Sequence, residues 1–309
     1  MLESLRIVGT QVFILFILIM LGFFGGKKKK ITKEGVKCIN DIMLYFVTPC
    51  VIINAFQREY DPTLLKALLL SILAAVISHV VCYIAGFLFI HDKDEAAKRT
   101  KRFAIAYSNC GFMALPLLDA LLGSEGVFYG AGYLTVFNIL VWSYGQYTIG
   151  KGKEGFEIKK AFLNPGVIAS IIGFIFFVTS FELPVLVIEP VKYLAALNTP
   201  VPMLIIGYTI SSFALKEQLK LKGEIIPIVS RLIICPMILL GILYLMGFRG
   251  TLLIASMISA SAPVAAISTM FSIKYDGDVR LASKMVAVSS LFSIITMTLI
   301  VGFTRYIAG

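Results

Sequence analysis

Two prolines stand in the middle of strongly apolar stretches with small polar residues beside them: Pro116 follows Ser108, Asn109, Cys110 and Gly111, and Pro263 follows Ser256, Ser259, Ala260 and Ser261. A proline inside a helix removes one backbone hydrogen bond and clashes with the carbonyl one turn back. The sequence therefore predicts helices broken at Pro116 and Pro263. Backbone groups freed by such breaks cannot face lipid, so they must be buried in protein or line a wet cavity. Two broken helices crossing at one level would aim half-helix N-termini, each carrying roughly half a positive charge, at a shared cavity suited to an anion. The chemistry expected of Ser108, Asn109, Gly111, Pro116, Ser259, Ser261 and Pro263 is thus recognition of an anionic group. Bond-making chemistry has little to work with. The chain has 2 His and 5 Cys, with no HExxH, no paired aspartates, no nucleophile beside a base and no Cys/His spacing for a metal. No cofactor or metal is expected, and the five cysteines read as reduced, packed residues.

Other polar residues inside apolar stretches each admit two roles. His79 could take up a proton during a transport cycle, its ordinary pKa lying near neutrality, or be a neutral ring bonded to a neighbouring helix. Arg231 lies about 10 Å from a membrane face at 1.5 Å per residue, where it could be a counter-charge to an anion or could snorkel to the headgroups. Asn138 and Asn198 could line the cavity or bond between helices. Met113, Met257 and Met270 beside the breaks read as adaptable packing. No Asp or Glu falls at mid-depth, Asp41 and Asp119 lying toward span ends, so no sodium ligand set is visible. Uniport, exchange, or proton coupling through His79 remain.

The elements that must position these residues follow from composition. The 309 residues are 58% hydrophobic and 15% charged with a mean hydropathy of +0.90, against about 25% charge in soluble domains. Apolar runs long enough to cross about 30 Å of hydrocarbon recur throughout, and the alternating polarity of barrel strands is absent. The fold class expected is an all-α polytopic membrane protein. About ten spans are predicted, near 7–26, 38–56, 64–90, 103–122, 127–150, 161–180, 191–213, 224–247, 251–273 and 283–304. The first run precedes a lysine cluster without a small-residue cleavage motif and is read as a retained span.

Most of the 28 Lys and Arg lie in alternate connections. The first holds Lys27 to Lys30, Lys33 and Lys37, the second Lys93, Lys98, Arg99, Lys101 and Arg102, and later ones Lys151 to Lys160, Lys216 to Lys222 and Lys274 to Lys284. The other connections and both ends carry only Arg6, Arg58, Lys66, Lys192, Arg249 and Arg305. Basic connections are retained in the cytoplasm, which places both termini outside the cell membrane. The run at 27–30 is read as a topology anchor among anionic headgroups, with no nucleic-acid partner.

The halves echo each other. Thr48-Pro49-Cys50 in the second run matches Thr199-Pro200-Val201 in the seventh, 151 positions on, and Pro116 matches Pro263 at a spacing of 147. Five spans per half would give 1–150 and 151–309 opposite orientations, the inverted-repeat plan of secondary transporters, with helices four and nine broken and crossing.

SNCGFMALPLL, APVAAISTMFSIKYDGDVRLASKMVAVSS, NPGVIASIIG and TPVPMLIIGYTIS together resemble the auxin efflux carrier family, which includes bacterial malate and malonate permeases and plant auxin exporters. The resemblance covers essentially the whole chain. It implies a fold similar to the bile-acid sodium symporters, with helices 1, 2, 6 and 7 as scaffold and helices 3, 4, 5, 8, 9 and 10 as transport domain. It also implies a homodimer and an organic-anion substrate held at the crossover, where Asn109 matches the family's motif and Pro116 and Pro263 match its crossover prolines. The plant motif's second asparagine is absent here, and the plant exporters' long central loop is reduced to GKGKEGFEIKK, which favours a small bacterial-type carboxylate over auxin. The functional expectation is a carboxylate transporter working by alternating access, in contact with the lipid bilayer. The alternatives are a membrane receptor or sensor for a carboxylate, or a channel.

Overall fold

The computed structural model describes residues 2–150, 162–212, 223–275 and 277–308. The described chain is helical, its one β contact being an isolated bridge. In chain order the helical elements are α1 (Leu2–Lys27), α2 (Lys33–Phe56), α3 (Pro62–Phe89), α4 (Glu95–Ala106), α5 (Cys110–Ile149), α6 (Pro165–Thr179), α7 (Val185–Ser211), α8 (Ile225–Leu245), α9 (Gly250–Ser261), α10 (Ile267–Lys274) and α11 (Val279–Ala308). Six of them, α2, α3, α5, α7, α8 and α11, are long and apolar enough to cross a membrane. Phe13–Lys27 of α1, α6 and α9 are shorter apolar helices. The basic connections at 151–160 and 216–222 lie outside the described residues.

Helix starts are written locally. Thr32 accepts from the amide of Gly35, Asp61 from Thr63, Asp94 from Ala96 and Asn164 from Gly166, and Pro62 and Pro165 take first-turn positions where an N–H would be idle. Between α3 and α4, the Lys101 ammonium 2.6 Å from Asp92 holds that carboxyl below its ordinary range.

The faces of α3 show which solvent the fold was built for. Its buried side is small or polar, with Ser71, Ala74, Ala75, Ser78, His79, Cys82, Ala85 and Gly86 at helical spacing. Its exposed side carries Leu69, Leu73, Val76, Val80, Ile84 and Phe87. Helices packed in lipid put small residues between them and leave large apolar side chains to the hydrocarbon. α6, with Ile168, Ile171, Ile175 and Val178 exposed, repeats the pattern. The protein is a multi-pass membrane protein.

Prolines act through widened turns. Five-residue π turns at Met43–Val47, Cys110–Ala114 and Ser230–Ile234 each end two residues before Pro49, Pro116 and Pro236. In each, the amide just before the proline reaches back five residues, from Thr48 to Met43, Leu115 to Cys110 and Cys235 to Ser230. The wider turn makes room for the ring without ending the helix. This corrects the expectation at Pro116: the helix runs through it, and the break lies earlier, at Tyr107–Asn109.

Within α5 the chain turns back on itself at Gly123, whose φ of 61° and ψ of −153° are open only to glycine. The two arms then run side by side, so that a Cβ on Gly111 would meet Leu134, and one on Gly130 would meet Leu115 and Leu118. Arg58 at the end of α2 seals the turn, donating to the Ser124 carbonyl at 2.8 Å with its guanidinium over the Phe128 ring. No atom lies near a Cβ built on Gly123, so only backbone strain opposes a side chain there. Gly123→Ala is expected to cost about 1–3 kcal/mol, read as a lower Tm of the detergent-solubilised protein.

Candidate functional site

The site is assembled where two interrupted helices meet. α4 ends at Ala106, and Tyr107, with φ −112° and ψ 114°, is extended. α9 ends at Ser261, and Ala262, with φ −59° and ψ 149°, is extended because Pro263 disfavours helical geometry in the residue before it. The two extended pieces pair antiparallel at Ser108 and Val264. The Asn109 amide donates to the Pro263 carbonyl at 2.7 Å, and the Ala265 amide donates to the Tyr107 carbonyl at 3.0 Å. Ser289 of α11 accepts from the Val264 amide at 3.1 Å. Unwound backbone deep in the protein is thus satisfied partly by the opposite break and partly by Ser289, as burial away from solvent requires.

Some buried polar side chains near the bridge are left without partners. Ser108 and Asn109 are 1% and 4% exposed, yet the Ser108 Oγ and the Asn109 Nδ2 have no hydrogen-bond partner. One turn past Ala265, α10 carries the buried hydroxyls of Ser268 and Thr269, and α11 carries that of Ser290, all without a partner, while Ser272 lies farther on against Gly277. A buried donor with no acceptor costs free energy that an anion would recover. Sequence reasoning passed over this hydroxyl group. Its signal was present in the ISTMFS run, where Ser268 and Thr269 follow closely on the Pro263 break.

The other sequence candidates divide. The Gly111 carbonyl accepts from Asn198 Nδ2 at 3.3 Å, a bond joining α7 to the start of α5. Pro263 lies in the break itself, whereas Pro116 sits inside α5 beyond its π turn. The Ser259 hydroxyl donates to the Ala255 carbonyl within α9 and that of Ser261 reaches toward Ile258 at 3.5 Å, so the single hydroxyl hydrogen of each is already directed within its own helix. Asn138 lies on the returning arm of α5 against the first turn of α6, where a Cβ on Gly166 would come 2.6 Å from its Nδ2.

His79 stands behind the crossing. Its Nδ1 is 2.7 Å from the Ala75 carbonyl, which can only accept, so Nδ1 carries the hydrogen and Nε2 is left as a buried, unpartnered nitrogen. Tyr83, Tyr107, Tyr133 and Phe137 surround the ring with centroids 5.8–6.4 Å away. Tyr83 donates to the Tyr107 hydroxyl at 2.7 Å, which donates to the Leu140 carbonyl at 3.0 Å, fixing the residue that precedes Ser108.

Arg231 does not snorkel. It lies in the π turn of α8, 1% exposed, with Nη1 donating to the Ile105 carbonyl at 2.9 Å and Nη2 to the Ala260 carbonyl. The guanidinium is held inside because these carbonyls lie at the ends of the two interrupted helices, where intrahelical donors run out.

Comparison with known proteins gives the family of the chain. The family described as "Membrane transport protein" matches residues 7–301. Two relatives, each named "Uncharacterized transporter", come from Methanocaldococcus jannaschii, at 23% identity over 93% of this chain and 96% of that one, and from Methanothermobacter thermautotrophicus, at 25% over 92% and 94%. A third, named "Putative malonate transporter", from Rhizobium meliloti, is 23% identical over 92% of this chain and 91% of its own. With a match running from the first span to the last, the chain belongs to the membrane transport protein family, that of the auxin efflux carriers.

Proposed function

We propose that this protein is a secondary transporter that carries a small organic anion, a malonate- or malate-like carboxylate, across the cell membrane by alternating access at the crossing of α4–α5 with α9–α10. The observation that carries the reading is the set of buried donors without partners around the antiparallel bridge, Ser108 and Asn109 on one side and Ser268 and Thr269 on the other. Asn109 caps α5, whose first residues are Cys110 and Gly111, and Ile267 opens α10, so two helix N-termini add positive potential at the same place. A relative named as a malonate transporter supports a small carboxylate.

Ten spans in two inverted halves fit the bridge, whose two hydrogen bonds exchange donor and acceptor between the halves as a local two-fold would. α1, α2, α6 and α7 pack on one another, α1 along α7 and the end of α2 along α6, while α3, α5, α9 and α11 surround the crossing. That grouping supports a scaffold and a moving transport domain. Residues 1–150 and 151–309 are the two halves, both termini face outward, and the protein works as a homodimer. Asn198 to Gly111 is then a contact that breaks and reforms between scaffold and transport domain.

The test is the Tm of the purified protein against a panel of mono- and dicarboxylates. A ligand confined to the native state contributes about 2.7 kcal/mol at about 100 times its Kd. One acid is expected to raise Tm and to show saturable counterflow in proteoliposomes. Stabilisation without counterflow would make the protein a carboxylate receptor, and unsaturable flux would make it a channel.

A further inference from the structure

Arg231 is a fully buried cation whose bonded partners are carbonyls and a thiol, with no carboxylate among them. Beyond Ile105 and Ala260, Nη1 lies 3.5 Å from the Ala106 carbonyl and 3.4 Å from Cys82 Sγ. An unpaired charge in such a place would be untenable. What balances it is geometric. Ile105 and Ala106 are the last residues of α4, and Ala260 is next to last in α9. Both helices end at the crossing, and each C-terminus carries roughly half a negative charge, so two of them match one guanidinium. Half-helix C-termini and unwound carbonyls are also what a broken-helix carrier offers to a coupling sodium ion.

We propose that Arg231 is the resident cation of this carrier, filling with its own guanidinium the place between the two C-termini that a mobile sodium ion would otherwise occupy. The inference rests on the anion-carrier reading. The guanidinium ties both interrupted helices to α8, so the charge that neutralises the crossing stays with the crossing. Anion binding then needs no sodium, in keeping with a chain whose spans show no acidic ligand set at mid-depth.

The experiment compares the wild type with Arg231→Met, which keeps much of the volume without the charge, and Arg231→Ala, which opens a space. Each is assayed for Tm in choline, sodium and methylguanidinium chlorides, with and without the stabilising carboxylate. The wild type is expected to melt within about 1 °C in choline and sodium, and its carboxylate affinity to change less than twofold. Both variants should melt about 5 °C or more lower in choline. Arg231→Ala should regain much of that loss in methylguanidinium or sodium, and Arg231→Met, whose side chain fills the place, should not.

Three results would overturn the proposal. One is tenfold tighter carboxylate binding by the wild type in sodium than in choline. Another is an Arg231→Met protein as stable as the wild type in choline. The last is an Arg231→Ala protein that neither cation restores. A wild type indifferent to every carboxylate would instead remove the anion-carrier reading, while the choline, sodium and methylguanidinium arms would still report on the cation. Should both variants fail to fold, the wild-type sodium comparison alone decides.

Discussion

Asn109→Ala is expected to weaken carboxylate binding by about 10- to 100-fold, the worth of a hydrogen bond to a charged group, while leaving Tm without ligand almost unchanged. The separation of the two effects follows from how Asn109 is held. Its amide donates to Pro263, and its carbonyl accepts from Met113 and Ala114, so the backbone at the crossing is fixed by main-chain bonds that survive the substitution. Its Nδ2 is buried with no protein partner, so the fold loses nothing there. Asn109→Asp sharpens the case. It is nearly the same shape but replaces a donor with a carboxylate, and like charges in a poorly solvated site repel. Counterflow should vanish at neutral pH. Unaltered counterflow in both variants would place the anion elsewhere.

The second large effect concerns the contact between α1 and α7. A Cβ on Gly207 would run into the Ile19 carbonyl and lie 2.6 Å from the Phe23 nitrogen, and one on Gly22 would run into the Leu204 carbonyl, 2.7 Å from the Leu204 Cα. These are backbone atoms of the opposite helix, and no rotamer change moves them aside. Close approach through facing glycines is how helices gain packing in lipid, where no hydrophobic force draws them together. Gly207→Leu is expected to cost about 3 kcal/mol or more, seen as a large fall in Tm and loss of a single peak on gel filtration. Gly241→Ala on α8, where nothing lies within 4 Å of the added carbon, should be neutral. Equal behaviour of the two would mean that α1 and α7 do not meet at these glycines.

Much of this was legible along the chain. Periodicity and hydropathy act within a helix turn or two, so the apolar runs read directly as helices, and the caps at Asp61, Asp94 and Asn164 are local signals. Ala262-Pro263 is a local stop as well, since the proline ring restricts the residue before it. Pro116 misled because a proline two residues past a π turn is absorbed without a break. The true interruption at Tyr107–Asn109 has no proline and is held open by bonds to Pro263 and Ala265.

The sequence by itself determined a helical membrane protein with polar residues gathered near two interruptions, because hydrophobicity and proline sterics need no partner distant in the chain. Which of those residues meet, and which bond within their own helices, depends on contacts between distant parts of the chain. The tertiary structure turned Ser259 inward on its own helix, set Asn138 against α6, left the Ser268 and Thr269 hydroxyls buried without partners, and gave Arg231 a carbonyl 126 positions away. A buried guanidinium must find acceptors wherever the fold brings them, and the carbonyls that need it are orphaned only when two helices end at the same point.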